Sequence, residues 1–185
     1  AGGVSVQRDF IDELRFADAF AYRQSGIPAE AQDAIAALPF VTETCAIGRL
    51  QVKIADRPVF GIAGLSPANV VCISFDARRF FEINAVDFVQ GDPETAIARL
   101  ESGEGLLVAE RFLTARGIGV GETLTLAVGR TRRDFEVVGV VSAAGLDVAT
   151  QYFGISNQYL EMAFSCVFVD RRTVAEAFDN HDVHI

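Results

Sequence analysis

The chain has 185 residues, half of them apolar and 22% charged, with 16 Lys and Arg against 25 Asp and Glu for a formal charge of −9. That composition can fill the core of one ordinary domain or two small lobes, and it excludes a disordered chain. It argues against a nucleic-acid binder, which needs a positive face to displace counterions, and against polybasic adhesion to an anionic membrane. No run reaches the roughly 18 uninterrupted apolar residues of a membrane helix. The longest candidate, residues 137–146, is broken by Gly139, Ser142 and Gly145.

Residues 8–24 begin with helical spacing at Phe10, Ile11 and Leu14, then alternate Phe16, Asp18, Phe20 and Tyr22 in the manner of a strand. Ser25-Gly26-Ile27-Pro28 opens a helix. Pro28 suits a first turn, where its missing N–H has no helix bond to make, and Glu30 complements the positive end of the dipole. Ala31, Ala34, Ile35 and Leu38 follow at i, i+3, i+4 and i+7, and Pro39 ends the run. Leu50, Val52 and Ile54 alternate with polar residues, Asp56-Arg57-Pro58 turns the chain, and Val59, Phe60 and Ile62 return, which predicts a hairpin. Residues 70–75 read as a buried strand. The first part is therefore a helix beside a mainly antiparallel sheet.

After Ala77 the pattern turns to capped helices. Asp92-Pro93 starts one, Ala96, Ile97 and Leu100 supply its inner stripe, and Gly103 fits a left-handed cap. Residues 106–108 read as a short strand and residues 110–116 as a helix capped by Gly117. Leu124, Leu126 and Val128 alternate, residues 129–134 form a polar loop, and Phe135, Val137, Val138 and Val140 return. The change of face between Val137 and Val138 predicts a bulge or a strand buried on both sides. Residues 145–156 read as loop, 164–169 as a strand and 172–178 as a helix, and Val183 and Ile185 begin a further strand.

Few residues suggest chemistry. Gly117-Ile118-Gly119-Val120-Gly121 has the wrong spacing for a phosphate loop and precedes a strand, whereas a phosphate cradle needs the N–H groups of a following helix. A helix cap plus tight turn is the reading. His181 and His184, three apart on an emerging strand, point to opposite faces and would not share a metal. No metal, cofactor or catalytic residue is expected. Cys45, Cys72 and Cys166 sit in apolar runs without CxxC spacing, consistent with buried free thiols or with one disulfide. Arg130, Arg132 and Arg133 sit on a hairpin tip, either solvated or touching an acidic partner. Tyr152, Phe153, Ile155, Tyr159, Leu160 and Met162 crowd a loop-like stretch, and either cap a core or form a contact patch.

Residues 106–126 (LLVAERFLTARGIGVGETLTL), followed by FEVVGVV at 135–141, resemble the extracytoplasmic core domain of MacB/FtsX-like ABC transporter permeases. Gly121-Glu122-Thr123-Leu124 stands where that family usually has Gly-Asp-Thr-Leu. Leu38-Pro39-Phe40-Val41 resembles its Leu-Pro-Gly-Val, with Phe40 in place of Gly. Val167-Phe168-Val169-Asp170 and the helix after it resemble its closing strand and helix.

The resemblance implies a non-catalytic periplasmic domain lying between two membrane helices of a bacterial inner-membrane permease. Such a domain couples ATP-driven motion to export or extraction of a substrate, or to control of a partner. The implied partners are a cognate ATPase reached through the membrane helices, an adaptor or periplasmic protein, and a second permease in a full-length dimer, with no nucleic acid. The absence of an initiating Met and the alternation that stops at Ile185 suit an excised domain of this kind. The expected fold is α+β with two lobes. Residues 5–77 and 160–185 would make a porter-like helix-on-sheet lobe, and residues 78–159 an inserted, smaller mixed α/β lobe. The competing reading is a secreted, free-standing ligand-binding or enzyme domain.

Overall fold

The structure, a computed structural model, describes residues 17–55, 69–142 and 166–185. Its strands are of two kinds, and the sequence pattern separates them. Ile47–Ala55 (β1), Thr123–Val128 (β5) and the first half of Thr131–Val141 (β6) alternate: Val52, Leu124, Leu126 and Phe135 are buried, while Lys53, Thr123, Arg132 and Asp134 are exposed. Asn69–Phe75 (β2), Gly105–Ala109 (β4), Cys166–Asp170 (β7) and the second half of β6 are apolar runs, and nearly all of their described residues are buried. A strand covered on both faces needs apolar groups throughout; one covered on a single face needs them at alternate positions.

The covering elements are helices. Pro93–Glu101 (α3), Glu110–Arg116 (α4) and Arg171–Phe178 (α5) pack against β2, β4, β6 and β7, and Ala77–Ile83 (α2) packs against α3. Ala29–Ala36 (α1) precedes β1, and the short Phe88–Gln90 (β3) precedes α3.

The hydrogen-bonded strand order is β3-β6-β4-β7-β2-β1-β5, and β5 pairs again with β6. The sheet thus closes into a ring, with β3 attached to β6 outside it. β2 with β7 and β4 with β6 are parallel, and the remaining pairs are antiparallel. The α+β class is as expected. β7 pairs with β2 on one edge and β4 on the other, so the described parts of residues 5–77, 78–159 and 160–185 share one sheet and one core. Among the described residues, the sheet draws no line between the two expected lobes.

Several local features match the sequence. Asp92 Oδ1 accepts the Thr95 N–H at 2.9 Å to start α3, and Gly103 follows its end at φ 76°. Leu106 pairs with Val137 but Leu107 with Gly139, so Val138 is the extra residue of a bulge. Others differ. Residues 17–22 form no strand: the Ala17 N–H, which a strand would give to a neighbouring edge, goes to the buried Asn84 side chain at 3.1 Å. α1 stops at Ala36 with Pro28 as its N-cap, and none of its residues is buried. The expected polar loop at 129–134 shrinks to Gly129 and Arg130, because Val128 pairs directly with Thr131. The return arm of the first hairpin lies outside the described residues.

At the C-terminal end, Val183 and Ile185 do take up strand-like bonding. Ile47 N–H donates to Ile185 O at 2.8 Å and Ile185 N–H to Ile47 O at 3.1 Å. On the other side, Ile27 N–H donates to Val183 O at 2.6 Å and Arg23 N–H to His184 O at 3.0 Å. Residues 183–185 are thus threaded between residues 23–27 and the start of β1.

Candidate partner-contact site

The β5–β6 hairpin turns through Gly129 and Arg130, with Gly129 at φ 57°, the sign that the first position of a primed type II turn requires. Arg132 lies opposite Ala127 and Arg133 opposite Leu126. Successive strand residues face opposite sides, so arginines adjacent in sequence separate in space. Arg133 turns to the inner side, where its Nη2 donates to Gly103 O at 3.0 Å and its guanidinium stands 5.6 Å from the centre of the Phe135 ring. Arg130 and Arg132 face outward and are exposed. Lys53, opposite Ala127 on β1, shares their face. Only the register reveals it, since β1 and β6 are far apart in sequence. Tyr152, Phe153, Ile155, Tyr159 and Leu160 lie outside the described residues. Among the described ones, the most exposed large apolar side chain is Phe40 at 78%, just after α1.

The most chemically distinctive cluster lies where β2 and β7 hand over to α2 and α5. Asp76 Oδ1 caps α2 through the Arg79 N–H at 3.0 Å, and the buried Asp170 caps α5 through the Arg172 N–H at 2.9 Å. Burial pushes the Asp170 carboxyl up, against the pull of the backbone N–H groups it accepts. Cys45 is close by, and burial, helped by the charge of Asp76, pushes its thiol up to about 11. A thiol so raised is a poor nucleophile at neutral pH. Both carboxylates are helix caps, and both oxygens of Asp170 accept backbone N–H groups. The cluster organises the starts of α2 and α5.

The Gly117–Gly121 segment behaves as a turn. Gly117 takes the left-handed cap of α4 at φ 67°. The Gly119 N–H donates to Glu122 Oε2 at 2.8 Å and the Gly121 N–H to Val137 O at 2.9 Å, so neither is available to an anion. All three cysteines are free thiols, with Cys72 buried and pushed up to about 12. His181 is exposed and His184 half-buried, and among the described residues no three His, Cys, Asp or Glu side chains gather as metal ligands do. No helix among the described residues is long and apolar enough to cross a membrane.

The fold is similar to that of the extracellular domain of the noncanonic ABC-type transporter YknZ from Gram-positive bacteria, at a TM-score of 0.55 and 9% identity over 91% of this chain and 76% of that one. It is also similar to the periplasmic region of MacB from Actinobacillus actinomycetemcomitans, at a TM-score of 0.51 and 11% identity over 94% of this chain and 74% of that one. No protein-family model and no curated protein matches the sequence. At these identities the likeness is one of fold: the chain is built like the MacB-type extracytoplasmic domains of ABC transporters.

Proposed function

We propose that the chain is the extracytoplasmic domain of an ABC transporter permease in a bacterial cytoplasmic membrane. The domain is non-catalytic and couples ATP-driven motion of membrane helices to export or extraction of a substrate, or to control of a partner. The observation that carries this reading is the fold shared with two transporter domains over more than nine-tenths of the chain. The 106–141 block that prompted the resemblance forms β4, α4, β5 and β6, a contiguous part of that fold. The side-by-side placement of residues 23–27 and 183–185 suits a domain entered and left at one place.

ATP would bind to another chain or domain, since no Walker sequence is present here. A cognate ATPase, a periplasmic or adaptor protein and a second permease complete the assembly. Arg130 and Arg132 are the exposed hairpin arginines that would meet such a partner, and Arg133 donates to Gly103 O on the inner side.

The parent gene tests the reading. Apolar runs of about 20 residues immediately outside both ends are expected. A short reading frame with a cleaved signal peptide and a stop just after Ile185 would instead mark a secreted, free-standing domain and end the permease reading.

A further inference from the structure

The apolar stripe of α1 is only half used. Ala31 and Ile35 are half-buried, while Ala34 and Leu38, four residues apart on one side, are exposed, Leu38 at 40%. Leu38 N–H donates to Ile35 O at 3.1 Å and Val41 N–H to Leu38 O at 3.0 Å. A β-turn over 38–41 therefore follows the helix at once, with Pro39 at its second position and Phe40 at its third. Turn positions favour Gly, Asn, Asp and Ser, yet this one holds an aromatic side chain that is 78% exposed. Pro39 fixes its own φ and Phe40 keeps a negative one, so the turn presents the ring without strain and at little entropic cost.

The charges of this stretch have one sign. Between Arg23 and Arg49 the chain carries Glu30, Asp33 and Glu43 and no Lys or Arg. Glu30 lies one helical turn before Ala34 on the same side, and Glu43 three residues after Phe40. All three are exposed, and among the described residues none makes a salt bridge. The neighbouring elements bring Asp76, Asp179 and Asp182 together with Arg23, Arg49, Arg79 and Arg171, which is close to a balance. The patch itself is apolar and negative.

We infer that Phe40, Leu38 and the exposed side of α1 form a docking surface for a basic amphipathic helix of a partner protein. The apolar stripe of that helix covers Phe40 and Leu38, and its Lys or Arg side chains meet Glu30, Asp33 and Glu43. The inference goes beyond the permease reading and rests on this surface alone. Charge complementarity selects the occupant. A second copy seated on the same patch would set carboxylates against carboxylates, and an anionic bilayer would repel them. A basic amphipathic segment gains from both apolar burial and ion pairing. The eight residues of α1 rise about 12 Å, which two to three turns of a partner helix span. A rigidly held aromatic is the kind of anchor on which the energy of an interface concentrates.

The test is a titration of the isotope-labelled chain with a synthetic helical peptide that has Leu at i, i+3, i+4 and i+7 and Lys elsewhere, followed by amide chemical shifts at low and at high salt. Two control peptides are an isomer with the same residues scattered round the helix and a counterpart with Glu for Lys. Shifts centred on Glu30, Ala34, Leu38 and Phe40, weakened by salt and much smaller with either control, are expected. Phe40→Ser should weaken binding about tenfold. Glu30→Lys with Asp33→Lys should weaken it by a similar factor at low salt and by less at high salt. These positions are exposed, and circular dichroism checks that each variant is folded. The inference is overturned by shifts centred elsewhere, by none at millimolar peptide, by equal binding of either control, or by variants that bind as the parent does. It is also overturned if concentrating the chain, or adding phosphatidylglycerol vesicles, moves the amides of Ala34, Leu38 and Phe40 while the peptide does not. Failure of the permease reading would appear in the parent gene and leave this titration unchanged.

Discussion

Asp170 Oδ2 accepts the backbone N–H of Ala77 at 3.2 Å across 93 residues of sequence, while its Oδ1 accepts that of Arg172 at 2.9 Å. One buried carboxylate therefore starts α5 and pins the start of α2. Asp170→Ala removes both acceptors and should cost about 1–3 kcal/mol in urea unfolding at pH 7. Asp170→Asn keeps one acceptor and should cost less. A loss under about 0.5 kcal/mol for the alanine variant would show that the two N–H groups find other partners.

The same carboxyl carries a pH signature. Burial raises its pKa in the folded chain above the ordinary 3.8, so the folded state binds this proton more tightly than the unfolded one. The stabilisation is complete below 3.8 and is lost as pH rises through the raised value. Wild type should therefore gain on Asp170→Asn as pH falls across that window. A difference that moves the other way in paired denaturant titrations contradicts the assignment.

Gly48 and Gly117 are needed for different reasons. A Cβ on Gly48 would lie 2.6 Å from Ser74 Oγ and 2.7 Å from Asp182 O, whereas one on Gly117 meets nothing within 4 Å but must adopt φ 67°. Gly48→Ala should cost about 1–3 kcal/mol by overpacking and should speed amide exchange at Ile27 and Ile185. Gly117→Ala should cost about 1 kcal/mol and leave those amides alone. Equal exchange at Ile185 in the two variants would mean that residues 183–185 do not depend on the space at Gly48.

The shared sheet predicts a single unfolding event. β7 bridges strands from both expected lobes, so neither set can lose its pairing without exposing the other's core. Fluorescence, circular dichroism and calorimetry should report coincident transitions. Two separated transitions would mean that the two expected lobes unfold independently.

Cys45 and Cys72 should differ in how they react. With its thiol near 11, Cys45 should alkylate slowly at pH 7 and about tenfold faster for each pH unit up to that value, while Cys72 waits for unfolding. Rapid native-state labelling of either at pH 7 contradicts this.

Much of the sheet is legible in the sequence because burial imprints itself on residue order. Leu124, Leu126 and Val128 alternate because one face is wet; Leu106, Leu107 and Val108 run together because neither is. The Val138 bulge shows as a break in phase. α2 was hidden because its buried residues are only Ala77 and Phe80, too few for a stripe, although Asp76 before it is a usable cap signal. The alternation misleads over the described residues 17–22, since the pattern reports alternate faces and says nothing about whether an edge is on offer. The contact face was half visible. Three arginines within four residues announce charge, but which of them face out, and that Lys53 joins them, depends on pairing between distant strands.

A sheet that closes on itself also limits how the domain can answer a push. Each strand of the ring is held along two edges, so sliding one past its neighbour by a single residue would break two ladders and turn core side chains to water. A displacement applied near Ile47 or Ile185 would therefore tilt or rotate the barrel more readily than shear it, and would carry the hairpin tip at Arg130 with it.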